Sequence, residues 1–246
     1  MPPNQDNNPA PGPFQTTRWT LIHSAGRLGT NADRDALSEF YSRYWKPLYV
    51  YTRGRGFTFH QSEDYVQSFF VWLMEHDVLD KADASRGKFR SFLITAFKNF
   101  IHNEYRKARA IKRGGNLQAV QPNTIASEDD FDRMSADTSD PQKLYDRAWA
   151  ISMLDITKKR LDKEMQAAGN QELYEQLKGI LLARSQKGCY AGIAAELGMT
   201  ENAVRVAAHR YRKRYGNILR EEIGRTVERE DHIEEEIRDL LAILGE

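Results

Sequence analysis

Apolar residues recur at intervals of three and four along most of this chain, and this period most constrains how it can fold. The clearest stripe comprises Phe89, Phe92, Leu93, Ala96, Phe97, Phe100 and Ile101. An α-helix has about 3.6 residues per turn, so this spacing places all of these side chains on one helical face. Runs that alternate apolar and polar residues, as half-buried strands do, are scarce. The sequence therefore predicts an all-α fold.

Composition and helix signals predict two helical domains joined by a flexible acidic linker. Residues 1–13 hold five of the eight prolines and are expected to form a disordered N-terminus. Residues 14–113 are the first predicted domain and residues 141–227 the second. Between them, residues 114–140 lose the helical period and are rich in Asn, Ser, Asp and Thr. Residues 228–246 are a predicted amphipathic C-terminal helix.

Two helix starts are expected from their capping residues. Ser62, followed by Glu63 and Asp64, is typical of an N-cap with acids in the first turn. Asp140 and Pro141 are typical of an N-cap followed by proline at the first helical position.

The net charge of +1 conceals a strong segregation of charge along the chain. Residues 86–113 contain nine Lys and Arg against the single acid Glu104, and residues 202–220 contain six Lys and Arg and no acid. By contrast, residues 128–140 hold six acids and one Arg, and residues 228–239 hold seven acids and two Arg. Ordinary surfaces intersperse both signs. The two basic blocks therefore favour two contact surfaces for a polyanion.

The sequence lacks the usual signatures of an enzyme or a metal site. The single cysteine, Cys189, excludes a disulfide within the chain and fits a reducing compartment. No HExxH, zinc-spaced Cys/His cluster, glycine-rich phosphate loop or GxSxG is present. We therefore expect no catalysis, no cofactor and no metal. No apolar run approaches the roughly eighteen residues of a membrane span, and the N-terminus lacks the pattern of a signal peptide.

Residues 190–209 follow the pattern of a helix-turn-helix. Ala194 is small where two helix backbones would approach, and Gly198 occupies the turn, where a positive φ favours glycine. Thr200 is predicted to cap the second helix and Met199 to plug the core. Inner faces are expected from Ile193, Leu197, Val204 and Ala207. The second helix of such a unit enters the major groove of DNA.

Polar side chains on that second helix form an outward stripe. Its members, at i, i+3, i+7 and i+10, are Asn202, Arg205, His209 and Arg212. Asn and Arg make bidentate hydrogen bonds to adenine and guanine edges. Flanking cations that would neutralise phosphates are Arg210, Lys213 and Arg214. The segment predicts binding to duplex DNA, with a purely structural helical hairpin as the alternative.

Longer segments resemble one family. SEDYVQSFFVWLM at residues 62–74 is similar to an acidic D-x-E-D-hydrophobic-V-Q-E-x-F helix, and GKFRSFLITAFKNF at 87–100 to F-R-x-W-L followed by A-x-N. Residues 190–214 are similar to Y-x-E-I-A-x-x-L-G and its basic continuation. These phrases resemble the sigma-70 family of RNA polymerase sigma factors, of the extracytoplasmic-function (ECF) type. The resemblance covers about 14–113 and 141–227. FRSFL, KRGG, REEIGRTV and EEEIRDLLAIL also resemble a long subgroup common in planctomycetes.

The resemblance implies a role for each matching residue. Contacts to core RNA polymerase are implied for Glu63, Asp64, Val66, Gln67 and Phe70. Recognition of the minus-ten element is implied for Arg90, Lys98, Asn99, His102, Asn103 and Arg106. Recognition of the minus-thirty-five element is implied for Thr200, Asn202, Arg205, His209, Arg210, Arg212 and Lys213. The loop at 77–87 matches the one that traps a flipped base.

The same resemblance implies the partners and the place of action. The partners are core RNA polymerase, through its β′ clamp and β flap, and promoter DNA, duplex and single-stranded. The chain would act in the bacterial cytoplasm at the nucleoid, with no membrane contact. Control by an anti-sigma factor or a kinase is left open. So is a stand-alone helix-turn-helix regulator, in which 14–113 serve as a sensor or dimerisation module.

Four positions depart from the family phrases. Phe92 replaces a tryptophan, Ser68 and Gly192 each replace a glutamate, and Tyr211 replaces a leucine. The C-terminal helix carries Ile233, Ile237, Leu240, Leu241 and Leu244 on one face. It is expected either to fold back on the second domain or to make a regulatory contact.

Overall fold

The computed structural model describes residues 31–76, 78, 88–112, 140–181, 189–227 and 230–245, with the backbone alone for 31–36 and 108–112. Eight helices occupy these ranges: α1 (Asn31–Gly54), α2 (Phe59–Glu75), α3 (Phe89–Lys112), α4 (Pro141–Ala167), α5 (Gln171–Lys178), α6 (Cys189–Glu196), α7 (Glu201–Gly224) and α8 (Asp231–Gly245). The described residues form no strand. The all-α prediction is confirmed.

Local capping chemistry explains where the first helices begin and end. α1 ends at Gly54, and Gly56 follows with a φ of 85°. α2 starts one turn earlier than predicted, because Thr58 accepts a hydrogen bond from the amide of Gln61 while the Gln61 side chain accepts from the amide of Thr58. This capping box satisfies two amides at the start of the helix. The N-cap prediction for Ser62 is wrong, since Ser62 is buried inside α2.

The starts of α3 and α4 agree with the sequence. α3 begins at Phe89, and its predicted apolar stripe is buried or partly buried along its length. Asp140 caps α4, because its Oδ1 accepts a hydrogen bond from the amide of Gln142, and Pro141 occupies the first helical position.

The larger hydrophobic core joins α1, α2 and α3 to the first half of α4. Phe69 of α2 lies at its centre, with its ring 4.8 Å from that of Phe97 and 5.5 Å from that of Phe100. Trp149 of α4 is fully buried in the same cluster. The end of α7 and the middle of α8 complete this core through Leu219, Ile223, Val227 and Leu240.

A second, smaller core lies around the other half of α4. It gathers Leu161 of α4 with buried side chains of α5, α6 and α7, which are Tyr174, Leu177, Leu181, Tyr190, Ala194, Val204, Ala208, Tyr211, Tyr215 and Ile218. This cluster supports the helix-turn-helix. α4 thus contributes to both cores.

Charged side chains also connect helices of the two predicted domains. Arg43 of α1 is buried and donates to the buried carboxylate of Glu222 on α7. Glu222 also accepts from Arg160 of α4 at 2.8 Å, and Arg225 donates to Glu39 of α1 at 2.9 Å. A buried charge is tolerated when it is paired and hydrogen-bonded in this way.

The predicted domain boundary is therefore crossed by both apolar and ionic contacts. The predicted linker lies at 114–140, and only its last residue, Asp140, falls within the described residues. Residues 1–30, which include the predicted disordered N-terminus, lie outside them. The two-domain arrangement stays a prediction.

The C-terminal helix α8 packs on α4 and α7. Leu240 is fully buried, and Ile233, Ile237 and Leu244 are partly buried, as predicted for its apolar face. The assignment of Leu241 to that face is wrong, because it is 60% exposed. Within the described ranges, no helix combines the length and apolar character needed to cross a bilayer.

The close approach of α1 to α4 gives a test of this packing. A β-carbon at Gly54 would lie 2.8 Å from Cδ1 of Leu144 and 3.3 Å from Cα of Pro141. Because Leu144 is buried, Gly54→Ala must displace α4, and we expect it to lower the free energy of unfolding by about 1–3 kcal/mol. Gly192→Ala, which would meet no atom within 4 Å, should instead raise it by about 0.5–1 kcal/mol. Urea unfolding measures both, and equal stabilisation would contradict the described packing.

Candidate nucleic-acid interface

The turn between α6 and α7 has the geometry predicted for a helix-turn-helix. Gly198 adopts a φ of 62°, which is costly for any residue with a β-carbon. Just before and after it, the amide of Leu197 donates to the carbonyl of Ile193 and that of Met199 to Ala194. The Oγ1 of Thr200 then accepts from the amide of Ala203 at 3.2 Å and caps α7. The turn and cap predictions are confirmed.

The buried face of α7 holds the unit together. Val204, Ala208, Tyr211 and Tyr215 face the second core, opposite the predicted outward stripe. The Tyr211 ring stands edge-on to that of Tyr174 on α5, with centroids 5.6 Å apart. Burial raises the pKa of Tyr215 to about 12, so its phenol stays protonated in the interior. The prediction for Met199 is wrong, because its side chain is 37% exposed on the turn.

Three members of the predicted stripe are exposed on the first half of α7. These are Asn202, Arg205 and His209, which we call the recognition stripe. Arg205 is paired with Glu201 one turn earlier, at 2.5 Å, and both side chains are about half exposed. Surface pairs of this kind contribute little to stability, so a better acceptor can replace the glutamate. Thr200, Arg210 and Lys213 are also exposed around the stripe.

Arg212 departs from the predicted stripe and has a structural role. Its Nε donates to the carbonyl of Leu181 at 2.7 Å, and its NH2 donates to the carbonyl of Ile180 and to the phenol of Tyr190. These contacts tie α7 to the end of the α5 segment and to α6. In this arrangement the guanidinium is directed into the protein instead of outward, where it donates to two backbone carbonyls.

Arg214 is another cation that serves the fold. It makes two hydrogen bonds of 2.6 Å to the carboxylate of Glu164 on α4 and one of 3.0 Å to Glu221. These bonds from Arg214 hold the pKa of Glu164 below its ordinary value, against the opposing effect of burial. The prediction of Arg214 as a phosphate contact is wrong in this arrangement, since its partner Glu164 lies fifty residues earlier and their pairing is not visible in the sequence.

A second polar, basic surface follows the exposed side of α3. Most residues predicted for minus-ten recognition lie there in the open: Lys98, Asn99, His102, Asn103 and Arg106. We call this set the polar face of α3. Lys98 Nζ lies 2.6 Å from Oε1 of Gln142 and 5.6 Å from the centre of the Tyr51 ring, so its amine is positioned at the edge of this face.

Arg90 is separated from that face in this arrangement. It is 8% exposed and its guanidinium lies 4.5 Å from the centre of the Trp149 ring. Its three nitrogens donate to Glu236, Asp146 and Asp239. Burial is the largest single influence on the pKa of Arg90 and would lower it, but the carboxylates of Glu236, Asp146 and Asp239 together outweigh burial and the net shift is upward. Arg90 is therefore charged, and each of its three guanidinium nitrogens donates to a carboxylate.

The residues predicted to contact polymerase divide by burial. Asp64 and Gln67 are exposed on α2, and Glu63 is half-buried. Val66 and Phe70 face the core and are at most 4% exposed. Their contribution in the described conformation is to packing, which leaves the polar members to present a surface.

A shallow depression lies between α2 and α3 and is not predicted from the sequence. It has a volume of about 380 Å³ and is lined by Trp72, Phe100, Asn103, Glu104, Arg106 and Lys107. Aromatic rings beside cations suit an unstacked base. Trp72 and the basic end of α3 are each visible in the sequence. Their proximity is not, because sequence alone does not show which helices pack together.

The described residues form no cluster of three His, Cys, Asp or Glu side chains suited to a metal ion. His102 and His209 are both exposed, and Cys189 is half-buried as the first residue of α6. The loop predicted to trap a base, 77–87, lies outside the described residues except for the buried Val78. So do the end of the basic block at Arg113 and the glycines that follow it.

No family model matches the sequence, and no curated protein or solved structure matches it either.

The different roles of two neighbouring arginines can be tested by stability. Arg212→Ala leaves the carbonyls of Ile180 and Leu181 without their side-chain donor, and we expect it to lower the free energy of unfolding by about 1–3 kcal/mol. Arg210→Ala removes an exposed arginine from the same helix and should change it by less than about 0.5 kcal/mol. Chemical denaturation compares the two, and equal values would contradict the structural role of Arg212.

Proposed function

We propose that this protein is a sigma factor of the extracytoplasmic-function type. It binds core RNA polymerase, recognises a promoter through two separate surfaces and favours local opening of the DNA. The observation that carries the proposal is the recognition stripe, which a capped helix presents outward from a helix-turn-helix. The separate polar face of α3 supports it, because a simple operator-binding protein needs only the first surface.

Recognition of duplex DNA would fall to α7. The first half of α7 would enter the major groove, where Asn202 and Arg205 have the donors and acceptors for adenine and guanine edges. Arg210 and Lys213 would neutralise phosphates, which adds affinity on any sequence. The amide-rich start of α7 also favours a nearby phosphate.

Opening of the DNA would fall to the polar face of α3. Its cations would follow the backbone of a single strand, while its amide and imidazole groups would hydrogen-bond unstacked bases. The depression beside Trp72 would accept a base plane. Extracting a base costs a few kcal/mol of stacking, which these contacts must offset. The chain makes and breaks no covalent bond in this proposal, and the polymerase performs the chemistry.

The polymerase contact would lie on α2. Glu63, Asp64 and Gln67 form a polar surface that fits a basic partner such as the β′ clamp, while the second half of the chain would meet the β flap. In this proposal α1–α3 form one functional unit and α4–α7 the other. The protein would act at the nucleoid of the bacterial cytoplasm.

The decisive experiment is initiation by bacterial core RNA polymerase on sheared genomic DNA, with and without the protein. We expect discrete transcript starts that depend on the protein and share two upstream sequence elements. A stand-alone regulator would instead bind an operator tightly without polymerase and would not direct core polymerase to start sites. That result would overturn the sigma-factor proposal in favour of a stand-alone regulator.

Substitution of Arg205 tests how the upstream element is read. Arg205→Ala should weaken holoenzyme binding to its preferred promoters by about 1–3 kcal/mol and should relax sequence preference at one position. The control is Arg220→Ala, which removes an exposed arginine about four turns further along α7, where it pairs with Glu234. Binding is measured on promoters randomised at the upstream element. A uniform loss on every sequence would make Arg205 a phosphate contact.

A further inference from the structure

The acidic helix α8 lies against the beginning of α3. Glu236 Oε1 is 2.6 Å from Nε of Arg90, and Asp239 Oδ2 is 2.9 Å from its NH2. Asp146 of α4 takes the remaining nitrogen at 2.7 Å. Three carboxylates from two helices thus surround one guanidinium.

The same acids also neutralise Lys88, which immediately precedes α3. Its amine contacts Asp239 and lies 3.0 Å from Glu236 and 3.4 Å from Glu235. On a helical projection Lys88 continues the polar face of α3, since it precedes Thr95, Asn99, His102 and Arg106 at i+7, i+11, i+14 and i+18. We call Lys88 and Arg90 together the basic corner.

The attachment of α8 is suited to release. Glu236 and Leu240 are its buried residues, and its other apolar side chains are only partly covered. Asp239 and Glu235 are 41% and 54% exposed in their side chains, so water and ions reach the outer layer of these ion pairs. A helix held by charge, by one fully buried leucine and by partly covered apolar side chains depends on those charges more than a helix with a fully buried apolar face does.

We propose that α8 is a built-in competitor for nucleic acid, which covers the basic corner until a polyanion or the polymerase displaces it. The inference rests on the proposed function, in which the polar face of α3 meets single-stranded DNA. Carboxylates of α8 occupy positions where phosphates would pair with Lys88 and Arg90. Displacement of α8 extends the polar face by Lys88 and removes two of the three carboxylates that surround Arg90.

The test compares two doubly substituted full-length proteins. Glu236→Gln with Asp239→Asn removes two charges at the basic corner while keeping side-chain shape. Glu230→Gln with Glu234→Gln removes two exposed acids at the start of the same region, where Glu234 contacts Arg220. Both variants therefore undergo the same change in net charge, and only the first removes carboxylates from the basic corner, since the Glu234–Arg220 pair of the control is an exposed surface pair of little energetic weight.

Binding is measured without polymerase, by fluorescence anisotropy of a labelled mixed-sequence 20-nucleotide single strand across a KCl series. We expect the first variant to bind about tenfold tighter than wild type near 0.1 M KCl and its salt slope to steepen by about 1.4, which corresponds to two added phosphate contacts. Hydrogen exchange at residues 89–94 and 231–240 should quicken in the same variant. The control variant should show only the small gain of lower negative charge.

Each outcome decides the inference. Equal affinity gains in both variants would mean that net charge alone explains the effect, and this would overturn the inference. No gain in either variant would also overturn it. Circular dichroism verifies folding, and if the double substitution unfolds the chain, Asp239→Asn alone replaces it, with Glu234→Gln as control and an expected gain of about threefold.

Initiation assays separate this inference from the proposed function. Wild-type protein that fails to direct core polymerase, together with a selective affinity gain, would refute the sigma-factor role and leave α8 as a cover for a polyanion surface. Wild-type protein that directs initiation, together with unchanged affinity in both variants, would refute the cover and leave the sigma-factor role.

Discussion

Burial of the first half of α4 on most of its sides is the constraint on which the described structure depends. Ala148, Trp149 and Ala150 are fully buried although consecutive residues on a helix point about 100° apart. A helix that is covered all round needs neighbours on all sides, and α1, α7 and α8 supply them. Because the same helix continues into the core beneath α6 and α7, it sets the position of α7 relative to α1–α3.

Local signals in the sequence predicted the elements well, and for physical reasons. The stripe on α3, the cap at Asp140, the turn at Gly198 and the cap at Thr200 each depend on residues within one or two turns of each other. Ser62 failed as a cap because Thr58 and Gln61 form a reciprocal pair that satisfies two amides instead of one. The prediction for Leu241 is wrong because periodicity gives the direction of a side chain but not the distance to its neighbour, and that for Met199 is wrong because the turn leaves its side chain exposed.

The sequence does not show which charged residues pair with groups far away in the chain. This pairing changes the interpretation of several cations. Arg90, Arg212 and Arg214 look equivalent to Arg106 and Arg210 in the printed chain. Their partners are acids or carbonyls that lie far away in sequence, such as Glu236, Asp146, Leu181 and Glu164. A basic block therefore overstates the cations available to a ligand, because some of them neutralise acids inside the fold. The exposed fraction of each side chain distinguishes the cations that a ligand can reach from those that neutralise groups inside the fold.

The order in which the chain emerges during synthesis gives one contact a particular consequence. Arg90 and Glu236 are 146 residues apart, so Glu236 is synthesised long after Arg90. Until then only Asp146, of the three carboxylates around Arg90, is available to pair with its guanidinium, and desolvating an incompletely paired charge is costly. The corner where α3, α4 and α8 meet therefore closes only after α8 has been synthesised.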